Sequence, residues 1–188
     1  MKRRIALFAG ALAIVVIGIA WLAVPRGVAP SPYASEPASP VRGLSAAEVE
    51  DLLSGAGAGY ARSAELNGFP GPRHLMDLRN ELALSPAQLA TIEATYSSMS
   101  SEARMLGGEI VARERSLSEA FSTRTVNVPE LSTRLDELGA LYAKLRGVHL
   151  GAHLSVTPHL TPEQIVRYGE LRGYTGTGTA PPHQLRTH

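Results

Sequence analysis

His149 and His153, one helical turn apart, form the sharpest chemical pairing in this chain. At i and i+4 on a helix they share a face, and two imidazoles on one face can chelate a single transition-metal ion. The 188 residues include no cysteine, which removes disulfides, thiolate zinc sites and thiol nucleophiles together. A metal site must therefore draw on histidine, carboxylate, methionine or water. The competing reading makes His149 a buried residue hydrogen-bonded across a helix pair, with His153 at its edge and His159 only flanking a helix start. Catalytic residues are not expected. Serines are numerous, but no strand–turn–helix elbow, glycine-rich phosphate loop or acid–base pair frames any of them. A formal net charge of +1 argues against nucleic-acid binding.

The histidines need a rigid element, and the apolar spacing supplies it. Leu89, Ile92, Tyr96, Met99, Ala103, Leu106, Ile110, Leu117 and Ala120 recur at alternating steps of three and four, interrupted at Arg113. That seam predicts a helix from about Pro86 to Phe121. Gly107-Gly108 interrupts its propensity, so either a neighbour approaches closely there or the helix bends. A connection from Ser122 to Val128 leads to Pro129, suited to a first helical turn. Leu131, Leu135, Leu138, Tyr142, Leu145, His149, Ala152 and Val156 then repeat the seam. Two long helices joined by a short turn predict an antiparallel hairpin. If it turns near residue 125, positions equally distant from 125 face each other. His149 and His153 then lie opposite the stretch Ser97 to Glu102, with Met99 in the same patch.

Shorter helices are expected at Arg73–Leu82 and Pro162–Leu171, and no strand is credible. Two near-copies of one pattern open the helices at either end of the hairpin: Leu84-Ser85-Pro86-Ala87-Gln88 and Leu160-Thr161-Pro162-Glu163-Gln164. In each, a hydroxyl can cap the first turn while a glutamine reaches back from the third position, with proline where a missing N–H costs nothing. Leu84 and Leu160 sit where an apolar residue can staple the entry. Ser45 and Glu48 form another capping box, for a helix ending by Gly55. Gly55 to Gly59 and Asn67 to Pro72 read as loops.

Lys2, Arg3 and Arg4 precede an uncharged apolar run, residues 5–24, that would span about 30 Å as a helix. Its length, Trp21 near the outer end and the lack of a small-x-small site favour an uncleaved membrane anchor, with a cleaved signal peptide as the alternative. In a bacterium the remainder is then periplasmic, tethered to the inner membrane. Residues 25–43 form a proline-rich spacer, 44–63 a short helix with a Gly/Ala loop, 64–174 the helical domain, and 175–188 a disordered tail carrying His183 and His188.

With these residues in place, the chain resembles the Spy/CpxP family of periplasmic proteins. The resemblance rests on a pair of LTxxQ motifs, matched by Leu84, Ser85 and Gln88 and by Leu160, Thr161 and Gln164, with serine for threonine in the first. Ala64 to His74 and Leu171 to Tyr174 are similar to segments of one branch. The family implies an all-α fold: a four-helix unit built on a long helical hairpin, usually a homodimer. It includes ATP-independent chaperones, stress regulators and membrane-anchored heavy-metal sensors. The first expectation is therefore an envelope-stress chaperone or adaptor that binds unfolded proteins. The alternative is a sensor of Zn, Ni, Co or Cu that signals to a membrane regulatory partner. The sensor branch takes further ligands from its first helix, which implies His74 with Asp77 and Glu81 here, joining His149, His153, Met99 and Glu102. That branch pairs two histidines in the first helix, and this chain has only His74. For a chaperone, Arg104, Arg113 and Arg146 are candidate client contacts, their stems lying beside apolar surface. Ion pairing such as Glu109 with Arg113 is the ordinary alternative.

Overall fold

Hydroxyl caps start α-helices at Ala46, Pro86 and Pro162. The computed structural model describes residues 41–174 together with Ser31, Tyr33 and Ser39. The apolar run 5–24, most of the proline-rich segment and the tail 175–188 lie outside the described residues. Among the described residues there is no strand, and no helix is long and apolar enough to cross a membrane. The protein is all-α.

Helix α1 (Ala46–Ser54) opens on the Ser45 capping box and closes on Gly55, whose φ of 70° ends it in the left-handed conformation. A short α2 (Arg62–Glu65) follows, which no sequence pattern announces. Helix α3 (Pro72–Asp77) stops before the expected Leu82. Ala83 turns into the left-handed region at φ 47°. Stopping early frees the Leu82 carbonyl, which accepts from the Gln164 side chain at 3.2 Å. Helices α4 (Pro86–Ser122) and α5 (Val128–Val156) form the hairpin. Asn127 caps α5 by accepting from the Glu130 N–H at 3.1 Å. A 3-10 turn (Thr157–His159) and α6 (Pro162–Leu171) complete the fold.

The hairpin keeps the expected register. Arg113 pairs with Glu137 at 3.2 Å and Arg134 donates to Ser116 at 2.8 Å, each pair equally distant from residue 125. Ile92, Ala103, Ile110 and Ala120 are buried along α4, and Leu138, Leu145, His149, Ala152 and Val156 along α5. Leu135 departs from the seam and is 50 % exposed. It sits near the turn, where two helices alone cannot enclose a side chain.

Two apolar clusters hold the elements. One joins Val41, Leu44, Val49 and Leu52 to Ala103, Ile110, Val111 and Leu145. The core thus reaches back to Val41, into the segment read as spacer, because Val41 and Leu44 seat beside α1. Gly107 explains how α1 lies so close: a Cβ there would stand 1.9 Å from the Leu52 carbonyl oxygen. The neighbour, not a bend, accounts for this glycine.

The second cluster gathers Leu75, Leu82, Ile92, Val156, Leu160 and Tyr168. Here the two repeated patterns meet. Each forms a complete capping box, and their glutamines pair with one another. Gln88 donates to Gln164 Oε1 at 2.8 Å, and Gln164 returns a bond to Gln88 Oε1 at 3.2 Å. Each amide also donates to the backbone leading into the other motif, Gln88 to the His159 carbonyl at 2.8 Å and Gln164 to that of Leu82. Every side-chain amide atom of the pair is thereby used.

Candidate functional site

A cleft of about 650 Å³ opens where the Gly55–Gly59 loop, α2, α3 and α5 converge; Glu65, His74, Met99, His149 and His153 line it. Its floor comes from α5. His149 is only 3 % exposed and stacks on Tyr60, with ring centres 5.7 Å apart and planes 15° from parallel. Its Nε2 is buried without a hydrogen-bond partner. Desolvation, and then the nearby His153, hold its pKa below the ordinary histidine value. It is therefore a neutral imidazole with one ring nitrogen unused, and it makes no bond across the hairpin.

His153 is also buried. Its Nδ1 lies 2.8 Å from the Phe69 carbonyl. A carbonyl only accepts, so Nδ1 carries the proton and the Nε2 lone pair is left on the other side of the ring. Gly71 gives the ring its room: a Cβ there would meet both His153 Cε1 and Glu65 Oε1 at 2.8 Å.

Glu65 belongs to the same cluster. The Tyr168 hydroxyl lies 3.0 and 2.9 Å from its two oxygens and accepts from the Gly71 N–H at 3.3 Å. Burial, reinforced by the Glu65 charge, drives the Tyr168 pKa well above the phenol range. The phenol stays protonated and ties α6 to α2. His74 faces the cleft from α3, its pKa lowered by desolvation and then by the Arg172 charge.

The sequence-derived candidates divide accordingly. His74, Met99, His149 and His153 share the cleft. Asp77 turns outward, 3.4 Å from Arg73 and 3.7 Å from His74. Glu102 lies with Met99 on a second, shallower hollow beside Gly147 and Gly151, and does not line the histidine cleft. Glu65, Tyr168 and the Phe69 carbonyl went unnoticed in the sequence. The one signal for them was the Phe69-Pro70-Gly71-Pro72 strap, which reads only as a loop. The three arginines named for clients are dispersed. Arg113 pairs with Glu137 rather than Glu109, Arg104 donates to Ser100 at 2.8 Å, and Arg146 lines a separate hollow.

Imidazole nitrogen, thioether sulfur and carboxylate form a donor set suited to a late divalent transition metal. In this conformation no three His, Cys, Asp or Glu among the described residues are grouped closely enough to hold an ion. Glu65 is engaged by Tyr168 instead. Comparison with protein-family models, curated proteins and solved structures finds no match to this chain.

Proposed function

We propose that this chain is a periplasmic envelope-stress protein of the Spy/CpxP type whose histidine cleft senses a divalent transition metal. The observation that carries the proposal is the buried, unpartnered Nε2 of His149. A buried polar nitrogen without a partner costs roughly 1–3 kcal/mol, and a ligand that accepts its lone pair recovers that cost. His153 adds a second lone pair, oriented by the Phe69 carbonyl, while His74 and Met99 open onto the same cleft. His149 and His153 would hold the ion, which supplies a fixed charge between α5 and the elements above it. Tyr168 couples that region to α6 through Glu65, so a change at the cleft has a route to the C-terminal helix. The cleft moves the sensor ahead of the chaperone that the sequence alone puts first.

The test is calorimetric titration of the full chain, held in a neutral detergent, with Zn²⁺, Ni²⁺, Co²⁺ and Cu²⁺. Binding should weaken at least ~10-fold in His149→Ala and in His153→Ala. No heat, or heat indifferent to both substitutions, rejects the metal reading. The chaperone reading then stands first, with suppression of client aggregation as its assay. Its support is the exposed apolar tip of the hairpin, where Phe121, Val128 and Leu135 are 55 %, 81 % and 50 % exposed.

A further inference from the structure

Beside the histidine cleft lies a third hollow, of about 550 Å³, lined by Tyr60, Arg62, Ser63, Leu66 and Arg146 and by no carboxylate. Arg62 comes from α2 and Arg146 from α5. Most other arginines near the domain surface are engaged. Arg73, Arg113, Arg134 and Arg167 form ion pairs, Arg79 and Arg104 donate to oxygen, and Arg172 lies over the Tyr174 ring. Arg62 and Arg146, like Arg42, Arg115 and Arg124, have neither an ion pair nor a side-chain hydrogen bond among the described residues, and these two share one concave surface. Two guanidiniums lining one hollow without an acid leave their N–H donors open to an oxyanion. Guanidinium presents paired N–H donors that match the oxygens of phosphate, and Ser63 adds a neutral hydroxyl at the edge.

We propose that the Arg62–Arg146 hollow is a binding site for a phosphate-class anion, either free phosphate or the headgroup of an anionic phospholipid. Arg62 also lines the histidine cleft, but neither guanidinium is a candidate metal ligand, so anion binding here is tested without the metal. Tyr60 and Leu66 also line the hollow and add apolar surface beside the two guanidiniums.

The experiment is titration of the full chain in a neutral maltoside detergent with two probes, inorganic phosphate and dihexanoyl phosphatidylglycerol. Dihexanoyl phosphatidylcholine serves as the zwitterionic control. Arg62→Gln and Arg146→Gln should each weaken binding about 10-fold or more, and added salt should weaken it in the unsubstituted chain. Arg146→Lys keeps the charge without the fork and should retain an intermediate affinity. Helical circular dichroism checks the fold of every variant, and both positions are exposed. Heat with phosphate identifies the free anion as the ligand, and heat with phosphatidylglycerol alone identifies the headgroup. Absence of binding by both probes at up to about 10 mM, equal binding of the phosphatidylcholine, or binding unchanged in both glutamine variants overturns the proposal.

Discussion

The hairpin has a covered side and a bare side, and its glycines tell them apart. Under α1, Gly107 leaves no space for a methyl group, because the Leu52 backbone occupies it. Its neighbour Gly108, with Gly139, Gly147 and Gly151 on α5, would carry a Cβ that meets nothing within 4 Å. Each costs the helix about 1 kcal/mol relative to alanine, yet among the described residues only Gly107 has a contact that repays it. The covered side also holds the buried imidazoles and the Tyr168–Glu65 bond. Composition alone does not separate the sides. Backbone approach does, because it decides which small residue is required and which is merely tolerated.

Substitutions should expose that asymmetry. Gly107→Val drives a branched side chain into α1 and is expected to destabilise by about 3 kcal/mol or more, read as a lowered urea midpoint with loss of the α1 contact. A cost near zero would mean that α1 does not lie where the backbone contact puts it. Tyr168→Phe, on the covered side, removes the donor to Glu65 and the acceptor for Gly71 N–H. It should cost roughly 1–3 kcal/mol, and Glu65→Gln combined with it should add less than it does alone.

Acidification should act on the covered side only. Folding lowers the His149 pKa from its ordinary 6.5 through desolvation, and His74 shifts the same way. The unfolded chain therefore binds more protons in this range, so stability is complete above pH 6.5 and falls as pH drops below it. Thermal melts from pH 8 to pH 5 should show that decline, and His149→Phe should flatten it. On the bare side, Gly108→Ala and Gly151→Ala should each raise stability by about 0.5–1 kcal/mol. A loss there instead would show that this surface is occupied in solution.

Much of this architecture is legible in the amino-acid order because it follows from periodicity and capping. The three-four alternation sets the hairpin register, and Ser45, Ser85 and Thr161 each announce a helix start that forms as written. Gly107-Gly108 leaves a close neighbour and a bend equally open, and only the packing of α1 decides between them. The early stop of α3 is illegible, since Ala83 adopts φ 47° to satisfy an acceptor 82 positions from its donor. The cleft was half visible. His149, His153 and His74 stand out by residue type, whereas Glu65 matters only through a tyrosine 103 positions away. Asp77 and Glu102 looked suitable by spacing, but side-chain direction carries each elsewhere. Local pattern reports helices well; it reports meetings between distant segments only when both carry a recognisable mark, as the paired glutamines do.

Those glutamines also impose an order on biogenesis. A growing polypeptide presents Gln88 while its counterpart, 76 residues downstream, has yet to be synthesised. The first amide must wait in water until nearly the whole domain exists. A chain cut before Thr161 would lack the second motif and leave that lock open, so closure waits on the last helix rather than on the hairpin.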